Sequence, residues 1–261
     1  MQALTRPFGT LHVEVDGPAG APAVVFANSL GTDLRLWHRV LPLLPQGLRT
    51  VRYDKRGHGL SAIGGGTVID DHADDAIAVI EQIAGGPVLF VGLSIGGLIG
   101  QVVASRRPDL VRALVLSNTA AKLGTAESWR ARIDAVTGGG LESIADAVME
   151  RWFAPTFRAG PDLALWRAML TRTPPAGYVA ACAALAGADQ TAATQELRLP
   201  VLVIAGSEDG ASPAAVVKAT ADLIPGAAFH EIAGAGHLPP VETPDAWAAL
   251  VAPFLKAHAD V

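Results

Sequence analysis

Three short stretches bring together the residue types that acyl transfer requires. The first is Gly92-Leu93-Ser94-Ile95-Gly96, a G-x-S-x-G set between the apolar run Pro87 to Val91 and a helix-compatible stretch. A strand that stops on a serine and turns at once into a helix needs very small neighbours, and Gly92 and Gly96 let the backbone fold sharply. The hydroxyl then stands proud of the sheet, beside a helix N-terminus that favours negative charge. A serine hydroxyl is a poor nucleophile near neutral pH and needs a base, itself oriented by an acid. Ser207-Glu208-Asp209-Gly210 follows the apolar run Pro200 to Gly206 and offers two carboxylates. Gly234-Ala235-Gly236-His237 follows Ala228 to Ile232, and its glycines free the loop to swing a histidine over the end of a sheet. Of the seven histidines, His58 sits in the tight turn Arg56-Gly57-His58-Gly59, and His12, His38, His72, His230 and His258 have no comparable loop setting.

The elements that must position these residues follow from hydrophobic periodicity. Short β-branched, apolar runs at Ala23 to Ala27, Leu48 to Tyr53, Val88 to Leu93, Ala113 to Ser117, Val201 to Ala205 and Ala228 to Ile232 read as strands. They alternate with helical patterns at Asp70 to Ala84, Ile95 to Arg106, Pro213 to Leu223 and Pro244 to Ala257, the signature of a mostly parallel sheet wrapped by helices. Leu11 to Asp16 alternates apolar and polar residues and predicts an antiparallel edge strand. Thr243 before Pro244 has the form of a helix N-cap with proline at the first helical position. Strand-like runs vanish between Thr119 and Ala186, where Trp129, Trp152 and Trp166 sit in helical periodicity. This predicts a helical cap over the serine (119–186), with the core formed by 1–118 and 187–261.

Composition narrows the function. The net charge of −5 and the lack of a basic tract argue against nucleic acid. Seven Lys/Arg face six Asp/Glu in the cap, against thirteen and nineteen elsewhere, which favours an anionic small molecule over an acidic core. No His/Cys cluster has metal-ligand spacing and no phosphate-binding glycine loop is present, so neither metal nor nucleotide cofactor is expected. The N-terminal stretch lacks the apolar core of a signal peptide, and no apolar segment is long enough to span a bilayer. One cysteine, Cys182, allows no internal disulfide and fits a reducing cytosol, so a cytoplasmic location is expected. The oligomeric state is not legible.

The elbow at Ser94 and the chain order Ser94, Asp209, His237 resemble the α/β-hydrolases. That resemblance implies a mostly parallel eight-stranded sheet flanked by helices, with a helical cap inserted after the sixth strand. The family's G-x-x-D pattern falls on Gly206 to Asp209 and selects Asp209 over Glu208. An oxyanion hole is implied at the backbone N–H groups of Ile95 and of Leu30, each contributing ~3 kcal/mol to the transition state. Many hydrolases carry His-Gly before the second donor; here Asn28-Ser29 replaces it.

Further motifs resemble one subfamily, the 3-oxoadipate enol-lactonases. They are Asn28-Ser29-Leu30-Gly31-Thr32-Asp33, Tyr53-Asp54-Lys55-Arg56-Gly57-His58-Gly59-Leu60-Ser61, Leu123-Gly124-Thr125-Ala126-Glu127-Ser128-Trp129, Arg132-Ile133, Arg151-Trp152-Phe153 and Gly177-Tyr178. The resemblance implies cofactor-free hydrolysis of a small anionic enol lactone to 3-oxoadipate, in the β-ketoadipate pathway of aromatic catabolism. Arg132 is then the partner for the substrate carboxylate, because its planar fork matches that group. Trp129 and Trp152 are expected to wall the pocket, although Trp129, Ile133 and Val136 also have the spacing of a packed helix face. Other carboxylester, lactone or C–C hydrolases, perhydrolases and non-catalytic receptors of this fold share the constellation.

Overall fold

The apolar runs assemble into one eight-stranded sheet in a computed structural model that describes residues 1–259. Its strands are β1 (Gln2–Arg6), β2 (Gly9–Asp16), β3 (Ala23–Ala27), β4 (Arg49–Tyr53), β5 (Val88–Leu93), β6 (Val111–Ser117), β7 (Val201–Gly206) and β8 (Ala228–Ile232). They lie in the order β1-β2-β4-β3-β5-β6-β7-β8, antiparallel from β1 through β2 to β4 and parallel thereafter. β3, β5 and β7 are buried along their whole length, as strands covered on both faces must be. The edge differs from the expected one. β2 is antiparallel but internal, because β1 pairs outside it. β1 buries only Leu4 and has no alternating apolar pattern to announce it.

Eleven helices surround the sheet among the described residues. α1 (Ile69–Val79) runs on through a wide turn to Ala84, and Gly85 closes it in the left-handed conformation (φ 82°). α2 (Ile95–Arg106) passes under the sheet, buried from Ile95 to Ala104. The connection from β6 to β7 holds α3 (Ala126–Gly139), α4 (Ala145–Trp152), α5 (Pro155–Arg158), α6 (Leu163–Thr171), α7 (Pro175–Gly187) and α8 (Thr191–Gln195). α3 packs on α7 and α4 on α6, whereas α8 packs on α2 and on α9 (Ala214–Leu223), against the core. α10 (Pro239–Glu242) and α11 (Pro244–Ala259) complete the chain. The Thr243 carbonyl accepts the first bond of α11, but its hydroxyl turns back to the Pro239 carbonyl and leaves the helix uncapped by that side chain. No helix among the described residues is long and apolar enough to cross a membrane.

Strand register sets the site. Ala27 pairs with Gly92, Leu93 with Ser117, Ser117 with Ile204, and Gly206 with Ile232. The parallel strands therefore end level with one another, and the loops that begin at 28, 94, 118, 207 and 233 emerge along one margin of the sheet. Ligands of open α/β sheets bind at that carboxyl margin.

Candidate active site

Ser94 sits where β5 becomes α2, with φ 57° and ψ −121°. A non-glycine residue at positive φ is strained by ~1–3 kcal/mol, and the surroundings must hold it there. The Ser94 N–H donates to the Ser117 carbonyl at 3.0 Å, and the Ser94 carbonyl accepts from the Thr119 hydroxyl at 2.6 Å. The flanking glycines answer to sterics. A Cβ on Gly92 would lie 2.3 Å from the Gly96 carbonyl oxygen, and one on Gly96 would lie 2.0 Å from that of Ala27. The turn is thus too tight for any side chain at either position.

The structure brings Asp209 and His237 together as expected. Asp209 Oδ2 lies 2.8 Å from His237 Nδ1, with both side chains buried. Asp209 Oδ1 accepts the Ala211 and Ser212 N–H groups at 2.7 and 2.8 Å, so the carboxylate is fixed at both ends. His237 and Ser94 line the same pocket. Among the described residues no hydrogen bond joins the Ser94 hydroxyl to the imidazole; such contacts commonly tighten only around a bound substrate.

Two residues not foreseen from sequence hold the loops that carry Asp209 and His237. Asn118, left-handed at φ 50°, donates from Nδ2 to Asp209 Oδ2 at 3.0 Å and to the Gly236 carbonyl at 3.1 Å. Glu242 accepts the Gly236 N–H at 2.9 Å and the Ala154 N–H at 2.8 Å. Burial pushes the Glu242 carboxyl up to about 7, against the pull of these donors. The end of α4 is stitched to both loops: the His237 N–H donates to the Trp152 carbonyl at 2.7 Å, and the Gly210 N–H to that of Arg151 at 3.1 Å. The end of α4 and the loops that carry Asp209 and His237 therefore form one hydrogen-bonded unit.

The loop after β3 lies on the other side of Ser94, and Ser29 and Leu30 line the pocket. Asn28 is tied by its side chain to the Tyr53 carbonyl (2.9 Å) and to the Trp37 indole (2.6 Å). The Leu34 N–H donates to Asp54 Oδ1 at 2.8 Å. Lys55 donates to the Ser29 and Thr32 carbonyls, and burial lowers its amine to about 7. The Ser29 hydroxyl is buried without a hydrogen-bond partner among the described residues. Ile95 opens α2, where a first-turn N–H has no acceptor within the helix.

The pocket encloses about 110 Å³, below the several hundred Å³ of a drug-sized site. Its walls include Trp129, Trp152, Val148 and Tyr178, and two cations, Arg132 and Arg151. Trp129 also packs against the core and donates its indole N–H to the Leu123 carbonyl at 2.6 Å. Arg132 donates to the Tyr178 hydroxyl at 3.3 Å and lies 5.8 Å from the Trp129 ring. Arg151 donates from Nε to the Gly210 carbonyl at 3.1 Å. Neither guanidinium has a carboxylate partner among the described residues. Partial burial and the charge of Arg132 together lower the Arg151 pKa from its usual value. Two unneutralised cations beside a serine make a site for an anion.

The sequence profile of the alpha/beta hydrolase family matches residues 24–250. The chain belongs to the alpha/beta hydrolase family. Within it, the chain is 34% identical to 3-oxoadipate enol-lactonase 2 of Acinetobacter baylyi, over 97% of this chain and 96% of that protein. It is 32% identical to 3-oxoadipate enol-lactonase 1 of the same organism, over 95% and 94%. The solved enol-lactonase of Burkholderia xenovorans superposes with a TM-score of 0.94 at 34% identity, covering 98% of this chain and 100% of that one. A thermophilic esterase from Thermogutta terrifontis, solved with malate bound, gives a TM-score of 0.91 at 27% identity, over 99% and 100%.

For this hydrolase, the residues that sequence reasoning missed share a cause. Asn118 reaches a carboxylate and a carbonyl 91 and 118 residues away, and Glu242 accepts from a backbone N–H 88 residues away. Arg151 enters the pocket only because the end of α4 crosses beside the Asp209 loop. In the sequence Arg151 showed only in the Arg151-Trp152-Phe153 motif and in the basic excess of the cap, neither of which gave it a role.

Proposed function

We propose that this serine hydrolase of ester bonds opens the 3-oxoadipate enol-lactone to 3-oxoadipate in aromatic catabolism. The observation that carries the reading is the pair Arg132 and Arg151, two cations without acids, in the pocket that also holds Ser94 and His237. A neutral ester has no use for them, whereas a lactone bearing an acetate side chain presents a carboxylate.

In this reading Ser94 Oγ attacks the lactone carbonyl as His237 Nε2 takes its proton, and Asp209 holds the imidazole in the useful tautomer. The oxyanion is met by the N–H groups of Leu30 and Ile95. Collapse breaks the ring C–O bond, and the enol oxygen takes the proton back from His237. The leaving group stays tethered to the acyl group and tautomerises to a ketone, which removes it as a nucleophile for the reverse step. Water, deprotonated by His237, then releases the acid and restores Ser94. Trp129 and Trp152 wall the ring while Arg132 and Arg151 hold the carboxylate. No cofactor enters.

A spectrophotometric assay on freshly generated enol lactone tests this. Wild type should turn it over and Ser94→Ala should not. Good turnover of simple esters with none of the lactone would replace the substrate assignment with a plain esterase.

A further inference from the structure

Lys55 has no part in the chemistry just described, yet it occupies a costly position. It follows β4, is 2% exposed, and has only carbonyl oxygens as hydrogen-bond partners among the described residues. Burying an amine that no carboxylate hydrogen-bonds is unfavourable, and the charges of Asp54 and Asp33 offset the desolvation only in part. A methionine would fill similar space without that penalty. Its two partners, the Ser29 and Thr32 carbonyls, both belong to the loop after β3. That loop lies within reach because β3 and β4 are parallel neighbours in register at Ala27 and Tyr53. The Ser29 carbonyl also accepts from the Thr32 hydroxyl at 2.9 Å and from the Thr32 N–H at 3.3 Å, so three donors converge on one oxygen.

The other end of that peptide unit is the N–H of Leu30. Donors on a carbonyl draw electron density from its amide and strengthen the N–H as a donor, an effect enlarged in a low-dielectric interior. We propose that Lys55 is a positioning residue of the oxyanion hole. Its amine, seated on the Ser29 and Thr32 carbonyls, orients and polarises the peptide whose Leu30 N–H meets the charge developing on the substrate. The proposal rests on the reading of Ser94 as nucleophile and is independent of which ester is hydrolysed.

The experiment uses p-nitrophenyl acetate, with Lys55→Met, Thr32→Val and Ser94→Ala beside wild type. Removal of a whole oxyanion donor lowers kcat about 10²- to 10³-fold, so loss of its polarisation should lower kcat about tenfold. KM should stay within about twofold. The Ki of phenylboronic acid, which forms a tetrahedral adduct on a nucleophilic serine, should rise by the same factor as kcat falls. Thr32→Val removes a neutral donor from the same carbonyl and should show the same pattern with a smaller factor; it carries the test if Lys55→Met does not fold. Unchanged kcat and boronate affinity, or a rise in KM alone, would reduce Lys55 to a loop fastener. Activity retained in Ser94→Ala would overturn the nucleophile reading itself, whereas an inactive Ser94→Ala beside a fully active Lys55→Met overturns only the role of Lys55.

Discussion

Replacing Arg132 by alanine should separate substrate recognition from stability, with the two moving independently. Among the described residues the guanidinium makes a 3.3 Å bond to the Tyr178 hydroxyl and a 5.8 Å approach to the Trp129 ring. Each is worth about 1 kcal/mol or less. Against them stands repulsion, since the Arg132 charge is one cause of the lowered Arg151 pKa. These terms nearly cancel, so the urea midpoint should shift little. Binding is different. A charge-assisted bond to a carboxylate contributes about 1.5–3 kcal/mol, and each 1.4 kcal/mol is about a factor of ten. The kcat/KM for the anionic lactone should therefore fall about 10- to 100-fold, mainly through KM, because the carboxylate is remote from the reacting carbonyl. For p-nitrophenyl acetate the change should stay within about threefold. Arg132 is a cleaner probe than Arg151, whose Nε also bonds the Gly210 carbonyl beside Asp209. Equal losses on the charged and the neutral substrate would refute the argument, as would an unchanged KM for the lactone.

Two further outcomes follow from the loops that hold acid and base. Asn118→Ala removes both bonds from Nδ2 and leaves alanine at φ 50°; at about 1 kcal/mol per bond plus 1–2 for the left-handed backbone, stability should fall by about 3 kcal/mol. Its kcat should drop more than its KM changes, and an unaffected kcat would show that Asp209 needs no such anchor. Glu242, raised from 4.5 to about 7, binds its proton more readily folded than unfolded between those values. Its contribution to stability is full below about pH 4.5 and is lost as the pH rises to about 7, roughly 3 kcal/mol in all. The unfolding free energy of wild type relative to Glu242→Gln should decline across that window, and parallel pH profiles would contradict the assignment.

The sheet was readable where burial is complete. β3, β5 and β7 are covered on both faces, so their apolar runs end where the strands end. β1 escaped notice because a strand that buries one residue leaves no periodic trace. Ser94 and Asp209 were legible for a related reason: they follow two such runs with glycine close by. His237 follows β8, an edge strand that buries only Ile232, and was legible from its glycine-rich loop. Level strand ends turn three distant stretches into one site. Asn118 had no equivalent signal. Its importance comes from a left-handed backbone and from the nearness of loops 91 and 118 residues away. The bonds of Lys55, Arg151 and Glu242 likewise run to backbone groups of other loops, and a linear pattern does not encode those.

The most direct test of the central claim is the mass of the protein quenched during turnover of p-nitrophenyl acetate. An acyl group should reside on the peptide that contains Ser94 and be absent from Ser94→Ala, which should also be inactive. Turnover by wild type with the acyl group on another residue, or full activity in Ser94→Ala, would contradict the account.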